Sequence, residues 1–194
     1  MSHYFTKKPE VSSKPQTINY AYLGHDFEFT TDQGVFSKDH VDLATNLLLS
    51  NTTVTCKDSV LDLGCGYGVI GIVLAKIFDA KVTLSDVNQR ALSLAKNNAK
   101  KNNTSVEVIE SDGFEHINKT FDLIITNPPI RIGKPALYQL FLDAISHLET
   151  HGTLLFVMHK KHGVESAIRF LSTNHNVSLI NKHKGFHVVA CNKR

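Results

Sequence analysis

From Ser59 onward the chain alternates short apolar runs with amphipathic stretches. Val60-Leu-Asp-Leu63, Lys81-Val-Thr-Leu-Ser85, Val106-Glu-Val-Ile109, Phe121-Asp-Leu-Ile-Ile-Thr126 and Thr153-Leu-Leu-Phe-Val-Met158 read as strands. A helix follows the first strand and runs to about Phe78. After the second, Ala91, Leu94, Ala95 and Ala99 repeat at helical spacing behind Asn88, a suitable N-cap. Leu137, Leu140, Phe141, Ala144, Ile145 and Leu148 form a continuous helical stripe, with Pro135 suited to its first turn. Val164, Ala167, Ile168 and Leu171 mark one further helix. Val177–Ile180 and Phe186–Ala190 are close enough to pair as an antiparallel hairpin through Lys182–Gly185. Strands alternating with helices predict a mostly parallel α/β sheet covered on both faces.

Upstream the pattern is weaker. Phe27 and Phe29 alternate with charges between Gly24 and Thr31, which predicts a half-exposed strand. Gly34-Val-Phe-Ser37 leads into a helix that Ser37 would cap, with Asp39 in its first turn. Residues 1–34 are read as an N-terminal extension of strands or a hairpin, and residues 35–194 as one domain.

Composition narrows the class. Hydrophobic residues are 42% and charged residues 20% of the 194, as in a globular domain with a sizeable core. No apolar run is long enough to span a membrane, and Met1–Pro9 lacks the apolar stretch of a signal peptide. Cys56, Cys65 and Cys191 have neither zinc nor redox spacing, so a reducing cytoplasm is expected. The histidines form no convincing ligand set with carboxylates or cysteines, so no metal is expected, and they are read as facing solvent or RNA. Net charge is +3, but residues 151–194 hold seven Lys/Arg against the single acid Glu165. That asymmetry is compatible with a nucleic-acid partner, and equally with a solvated basic face.

Two segments carry chemistry. Asn127-Pro128-Pro129-Ile130 follows the strand ending at Thr126. Two prolines have no N–H to donate and fix φ, so strand pairing stops there. This is the C-terminal end of a strand, where open α/β sheets bind ligands. The Asn127 amide and the Pro128 carbonyl are two acceptors at a stiff corner, suited to the N–H bonds of a planar amine. The second segment, Asp62-Leu-Gly64-Cys65-Gly66-Tyr-Gly68-Val-Ile-Gly71, joins a strand to a helix. It matches G-x-G-x-x-G, and Asp86 stands where a ribose-binding acid of a dinucleotide fold is expected. Asp62, however, would repel a pyrophosphate and favour a cationic ligand, and the Asn-Pro-Pro corner has no role in hydride transfer. S-adenosylmethionine, a nucleoside carrying a sulfonium, fits better.

Asp62-Leu-Gly-Cys-Gly66, Asp86, Ser111-Asp112-Gly113 and Asn127-Pro128-Pro129 together resemble the class I S-adenosylmethionine-dependent methyltransferases over about residues 35–190. Gly34-Val-Phe-Ser37, Asn127-Pro-Pro-Ile-Arg131-Ile-Gly133-Lys134 and Lys184-Gly-Phe186 are similar to the small-subunit (16S) ribosomal RNA guanine-N2 methyltransferases. The resemblance implies a Rossmann-like, mostly parallel seven-stranded sheet with a C-terminal antiparallel hairpin. It implies S-adenosylmethionine as cofactor, with Asp86 on the ribose hydroxyls and Asp112 and Gly113 at the adenine. Asp62 would bond the methionine amine or orient the loop of Gly64, Cys65 and Gly66, while Phe36 and Ser37 cover the cofactor. Cys65 is read as a small filler rather than a nucleophile.

The same resemblance implies that Asn127, Pro128, Pro129 and Ile130 hold the target amine, with Asn127 also at the cofactor. Arg131 and Lys134, just beyond that corner, are candidates for phosphate or guanine contacts, and equally for two exposed basic residues before a helix. Relatives often carry an aromatic residue where this chain has Ile130. The implied partner is ribosomal RNA or the small subunit, and a homodimer could supply a domain that larger relatives carry. Two rivals stay open: a protein glutamine-N5 methyltransferase, and an RNA-binding module that has lost catalysis.

Overall fold

The computed structural model describes residues 11–194, so the readings made on Met1–Pro9 lie outside the described residues. It opens with a β-hairpin, β1 (Gln16–Tyr22) and β2 (His25–Thr31), paired antiparallel from Gln16↔Thr31 to Tyr22↔His25. Both turn residues, Leu23 and Gly24, have positive φ, the conformation that suits a two-residue hairpin. Phe27 and Phe29 are buried while Asp26 and Glu28 are exposed, so the alternation resolves into two faces.

The main unit follows in the order α1 (Leu43–Ser50), β3 (Ser59–Leu63), α2 (Val69–Phe78), β4 (Lys81–Asp86), α3 (Gln89–Lys101), β5 (Glu107–Glu110), β6 (Phe121–Thr126), α4 (Lys134–Ser146), β7 (Leu148–His159), α5 (Val164–Ser172), β8 (Asn176–His183) and β9 (Phe186–Asn192). Seven strands form one sheet in the order β5-β4-β3-β6-β7-β9-β8. Strands β3 to β7 pair in parallel, and β9 is antiparallel to both β7 and β8. The chain moves outward from β3 to β5, then returns to the other side of β3 for β6. That reversal opens a crevice at the C-terminal ends of β3 and β6.

Two cores cover the two faces. One packs the hairpin's Phe27 and Phe29, α1, α2 and α3 against the sheet, and the other packs α4 and α5. On α3 the apolar stripe is buried as expected, and Asn88 caps it through bonds from the Arg90 and Ala91 N–H groups. Asn98, also on α3, is fully buried. Its Oδ1 accepts the Thr30 N–H at 2.8 Å and its Nδ2 donates to the Thr30 carbonyl at 3.0 Å, so a side chain bonds the hairpin's edge as a neighbouring strand would.

Three local expectations are corrected. No helix starts at Ser37. That residue has a φ of 54° and its hydroxyl donates to the His40 carbonyl at 2.7 Å. The helix begins at Leu43, capped by Asp42, whose carboxylate accepts the Ala44 and Thr45 N–H groups, and so Asp39 lies outside it. Leu148 is the first residue of β7 rather than the last of the α4 stripe, and β7 runs on through Gly152 to His159. The histidines do not all face outward, since His187 on β9 is 7% exposed.

Candidate active site

A cavity of about 760 Å³ opens at the C-terminal ends of the strands, a size typical of ligand pockets. Its floor is the loop between β3 and α2. Gly64 and Gly66 have φ of 72° and 56°, values that favour glycine. The loop is tied to β4, because the Gly64 and Cys65 N–H groups donate to the Ser85 carbonyl at 2.8 and 2.9 Å. Gly71 serves close packing: a Cβ there would lie 2.2 Å from Leu84 Cδ2 and 2.8 Å from Val82 Cγ1.

Asp62 is 1% exposed, and its Oδ2 accepts the Gly71 N–H at 2.9 Å. Burial pushes its carboxyl up to about 7, an effect that the Gly71 bond opposes and the neighbouring Asp86 charge adds to. The carboxylate therefore holds the first turn of α2 against β3. Asp86, at the end of β4, accepts the Gly66 N–H at 2.8 Å on Oδ2 and the Asn88 N–H at 2.9 Å on Oδ1. Burial raises its carboxyl too, against these N–H bonds. A carboxylate offers about four acceptor sites, so Asp86 can still take a further donor. Cys65 is buried, and burial pushes its thiol well up, reinforced by the charges of Asp62 and Asp86. That is the environment of an inert thiol.

Beside the loop, Phe36 is 46% exposed at the cavity rim, and the Tyr67 hydroxyl donates to the Ser37 carbonyl at 3.1 Å. Asn88 Nδ2 holds the Gly34 carbonyl at 3.0 Å. The turn of residues 34–42 is thus strapped across the glycine loop. Asp112 is exposed at the rim after β5, next to Gly113.

On the other side of β3, Asn127 to Ile130 form the corner after β6. Pro128 is buried, and Asn127, Pro129 and Ile130 are half-buried. Ile130 opens a single 3₁₀ turn to Ile132 and packs against the α4 core. The corner is anchored from below by Thr126, whose hydroxyl donates to the Leu63 carbonyl at 2.8 Å.

Asn127, Pro128, Pro129, Ile130 and Arg131 all border the cavity, as do Phe36, Asp62, Gly64, Cys65, Gly66, Asp86, Asp112 and Gly113. Lys134 does not. It starts α4, and its ammonium lies 5.3 Å over the Tyr138 ring. Sequence reasoning missed Met158 and His159 at the end of β7, and Ser85 at the end of β4, all of which line the same space. The Ser85 hydroxyl is buried with no partner in the structure. The signal was available, since these residues close parallel strands just as Asn127 follows one.

Two carboxylates at the strand ends, a glycine floor open to close approach and an apolar wall fit a nucleoside with a diol and an amine. Among the described residues no group of histidines, cysteines and acids could hold a metal ion, and no helix is long and apolar enough to cross a membrane.

Comparison with known proteins agrees with the fold. A family model described as the methyltransferase small domain matches residues 26–190. The uncharacterized protein YbxB of Bacillus subtilis (strain 168) is 40% identical over 197 residues, covering 98% of each chain. Ribosomal RNA small subunit methyltransferase C of Mannheimia succiniciproducens is 42% identical over 119 residues, which are 61% of this chain and 36% of that one. Among solved structures, a T. thermophilus 16S rRNA N2 G1207 methyltransferase in complex with AdoMet and guanosine has a TM-score of 0.81 at 26% identity, over 96% of this chain and 52% of that one. The chain thus spans about half the length of that structure, and nearly the whole of YbxB. With its glycine loop, its strand-end acids and its Rossmann-like sheet, the chain belongs to the methyltransferase small domain family of S-adenosylmethionine-dependent enzymes.

Proposed function

We propose that this protein transfers a methyl group from S-adenosylmethionine to the exocyclic N2 amine of a guanine in 16S ribosomal RNA. One observation supports this most. The Asp86 carboxylate and the Asn127–Pro128 corner border one continuous cavity, so a cofactor and a planar amine can meet in it. The T. thermophilus enzyme with guanosine, and the named ribosomal RNA relatives, point to the same base and polymer.

Asp86 accepts the ribose hydroxyls of the cofactor, and Asp112 and Gly113 take its adenine edge. Gly64 and Gly66 admit its amino-acid part close to the backbone. Asp62, behind them, keeps α2 and the loop in place. When bound, the cofactor supplies an electrophilic methyl group on a sulfonium.

The guanine amine is conjugated with its ring and weakly nucleophilic. Asn127 Oδ1 and the Pro128 carbonyl accept its two N–H bonds and turn its lone pair away from the ring. The amine becomes acidic as it is alkylated and then releases one proton to water, so no strong base is needed before attack. Catalysis is then mainly positioning, a contribution of up to about 7–11 kcal/mol in well-oriented systems. The base must leave its stack to reach the corner. Ile130 packs on its face without π-stacking.

The test offers radiolabelled S-adenosylmethionine with unmodified small subunits, naked ribosomal RNA and ribosomal proteins, followed by nucleoside analysis. Label in N2-methylguanosine is the expected result. Label in adenosine or glutamine would keep the enzyme class and overturn the substrate.

A further inference from the structure

The C-terminal ends of the strands carry a charge gradient that follows the sheet order. On one side stand Asp112 after β5 and Asp86 at the end of β4, with Asp62 buried beneath them in β3. Asn127, after β6, sits at the changeover. Arg131 follows it, exposed on the rim. Next, after β7, a 3₁₀ turn presents Lys160, Lys161 and His162. The end of β8 and its turn into β9 then add Lys182, His183 and Lys184. A further carboxylate in the wall, Asp42, is committed to capping α1.

The two basic turns form one surface. The Lys160 N–H donates to the Gly185 carbonyl at 2.8 Å. A Cβ on Gly185 would come within 2.5 Å of His159 Nε2, so only glycine lets that ring lie on the turn. The His159 ring meets Phe186 edge-on at 4.9 Å, and His159 Nδ1 accepts the Lys161 N–H at 3.1 Å. Lys160, Lys161, Lys182 and Lys184 are all exposed, and among the described residues none of them forms an ion pair. Glu165, in the first turn of α5, is an acid whose charge reaches His187 together with those of Lys182 and Lys160.

A polyanion approaching Asn127 is repelled from the β4–β5 side and attracted to the β7–β9 side. We propose that the ledge formed by residues 160–162 and 182–185 takes the RNA phosphates that flank the target nucleotide. The nucleic acid then crosses the cavity mouth over β7 and β9, leaving the acidic half to the cofactor. The ledge rests on the reading of RNA as substrate.

The experiment measures binding and methylation of unmodified 16S ribosomal RNA by the wild type and two double variants across a salt series. Lys161→Glu with Lys184→Glu reverses two charges on the ledge. Lys57→Glu with Lys100→Glu reverses two exposed charges at the opposite end of the sheet. The ledge variant should bind RNA at least about tenfold more weakly, with a salt slope shallower by about one to two, because each lost phosphate contact releases one counterion fewer. Its affinity for S-adenosylmethionine should match the wild type, and the control pair should bind RNA normally. Wild-type RNA affinity in the ledge variant, or equal losses in both pairs, would overturn the ledge while guanine methylation by the wild type still stood. If ribosomal proteins offered in parallel took the wild type's label and RNA did not, the substrate reading and the ledge would fall together.

Discussion

Asp86 and Gly66 are joined by a hydrogen bond of 2.8 Å from the Gly66 N–H to Asp86 Oδ2. The acid at the end of β4 thereby sets the backbone of the loop after β3, twenty residues earlier in the chain. One side chain shapes the cavity floor and also faces the cavity.

Asp86→Ala should therefore act twice, removing a ligand-facing acceptor and freeing two backbone N–H groups. Bonds to a charged acceptor contribute about 1.5–3 kcal/mol each. S-adenosylmethionine affinity should fall at least about tenfold, as read by isothermal titration. Unchanged affinity would remove Asp86 from the cofactor site.

Asn127→Ala leaves Asp86 and the glycine loop in place. We expect kcat to fall by roughly 10²-fold, the scale of a misplaced reacting group, with cofactor affinity retained. Single-turnover methylation of small subunits measures it. Normal turnover would sink the proposed positioning of the amine.

At Gly71 the packing leaves no space for a methyl group, with Leu84 Cδ2 2.2 Å from the Cβ position. Gly71→Ala should cost about 1–3 kcal/mol through overpacking, even though alanine favours helix. Urea denaturation would show a lower midpoint at an unchanged slope. A variant as stable as the wild type would mean that α2 can move away from β4 at no cost.

Asp62 carries a stability signature in pH. Its folded pKa of about 7 lies above the ordinary carboxylate value because the group is buried. The folded state thus holds the proton more tightly than the unfolded chain does. The associated stabilisation is complete below about pH 4 and is lost as pH rises toward 7. Asp62→Asn is neutral throughout and can still accept the Gly71 N–H. Its stability relative to the wild type should rise between pH 4 and 7 and then level off. A difference that stays flat over that range would show that Asp62 titrates normally.

Hydropathy period and local chemistry carried much of this protein. Strand–helix alternation from Ser59 predicted the parallel sheet, because burial on both faces makes strands continuously apolar and their covering helices striped. The glycines, Asp86 and Asn127-Pro-Pro declared themselves because few residue types suit such turns. Other features depend on partners distant in sequence. Whether Ser37 or Asp42 starts α1 depends on which side chain reaches free N–H groups, and both are good caps in isolation. That Asn98 bonds Thr30 depends on α3 lying along β2, across 68 residues of chain. The two carboxylates, the amide corner and the lysine ledge share one edge only because the strand order turns about β3. Sequence determines the kinds of group present, whereas their distances and the alignment of their charges arise when the sheet closes.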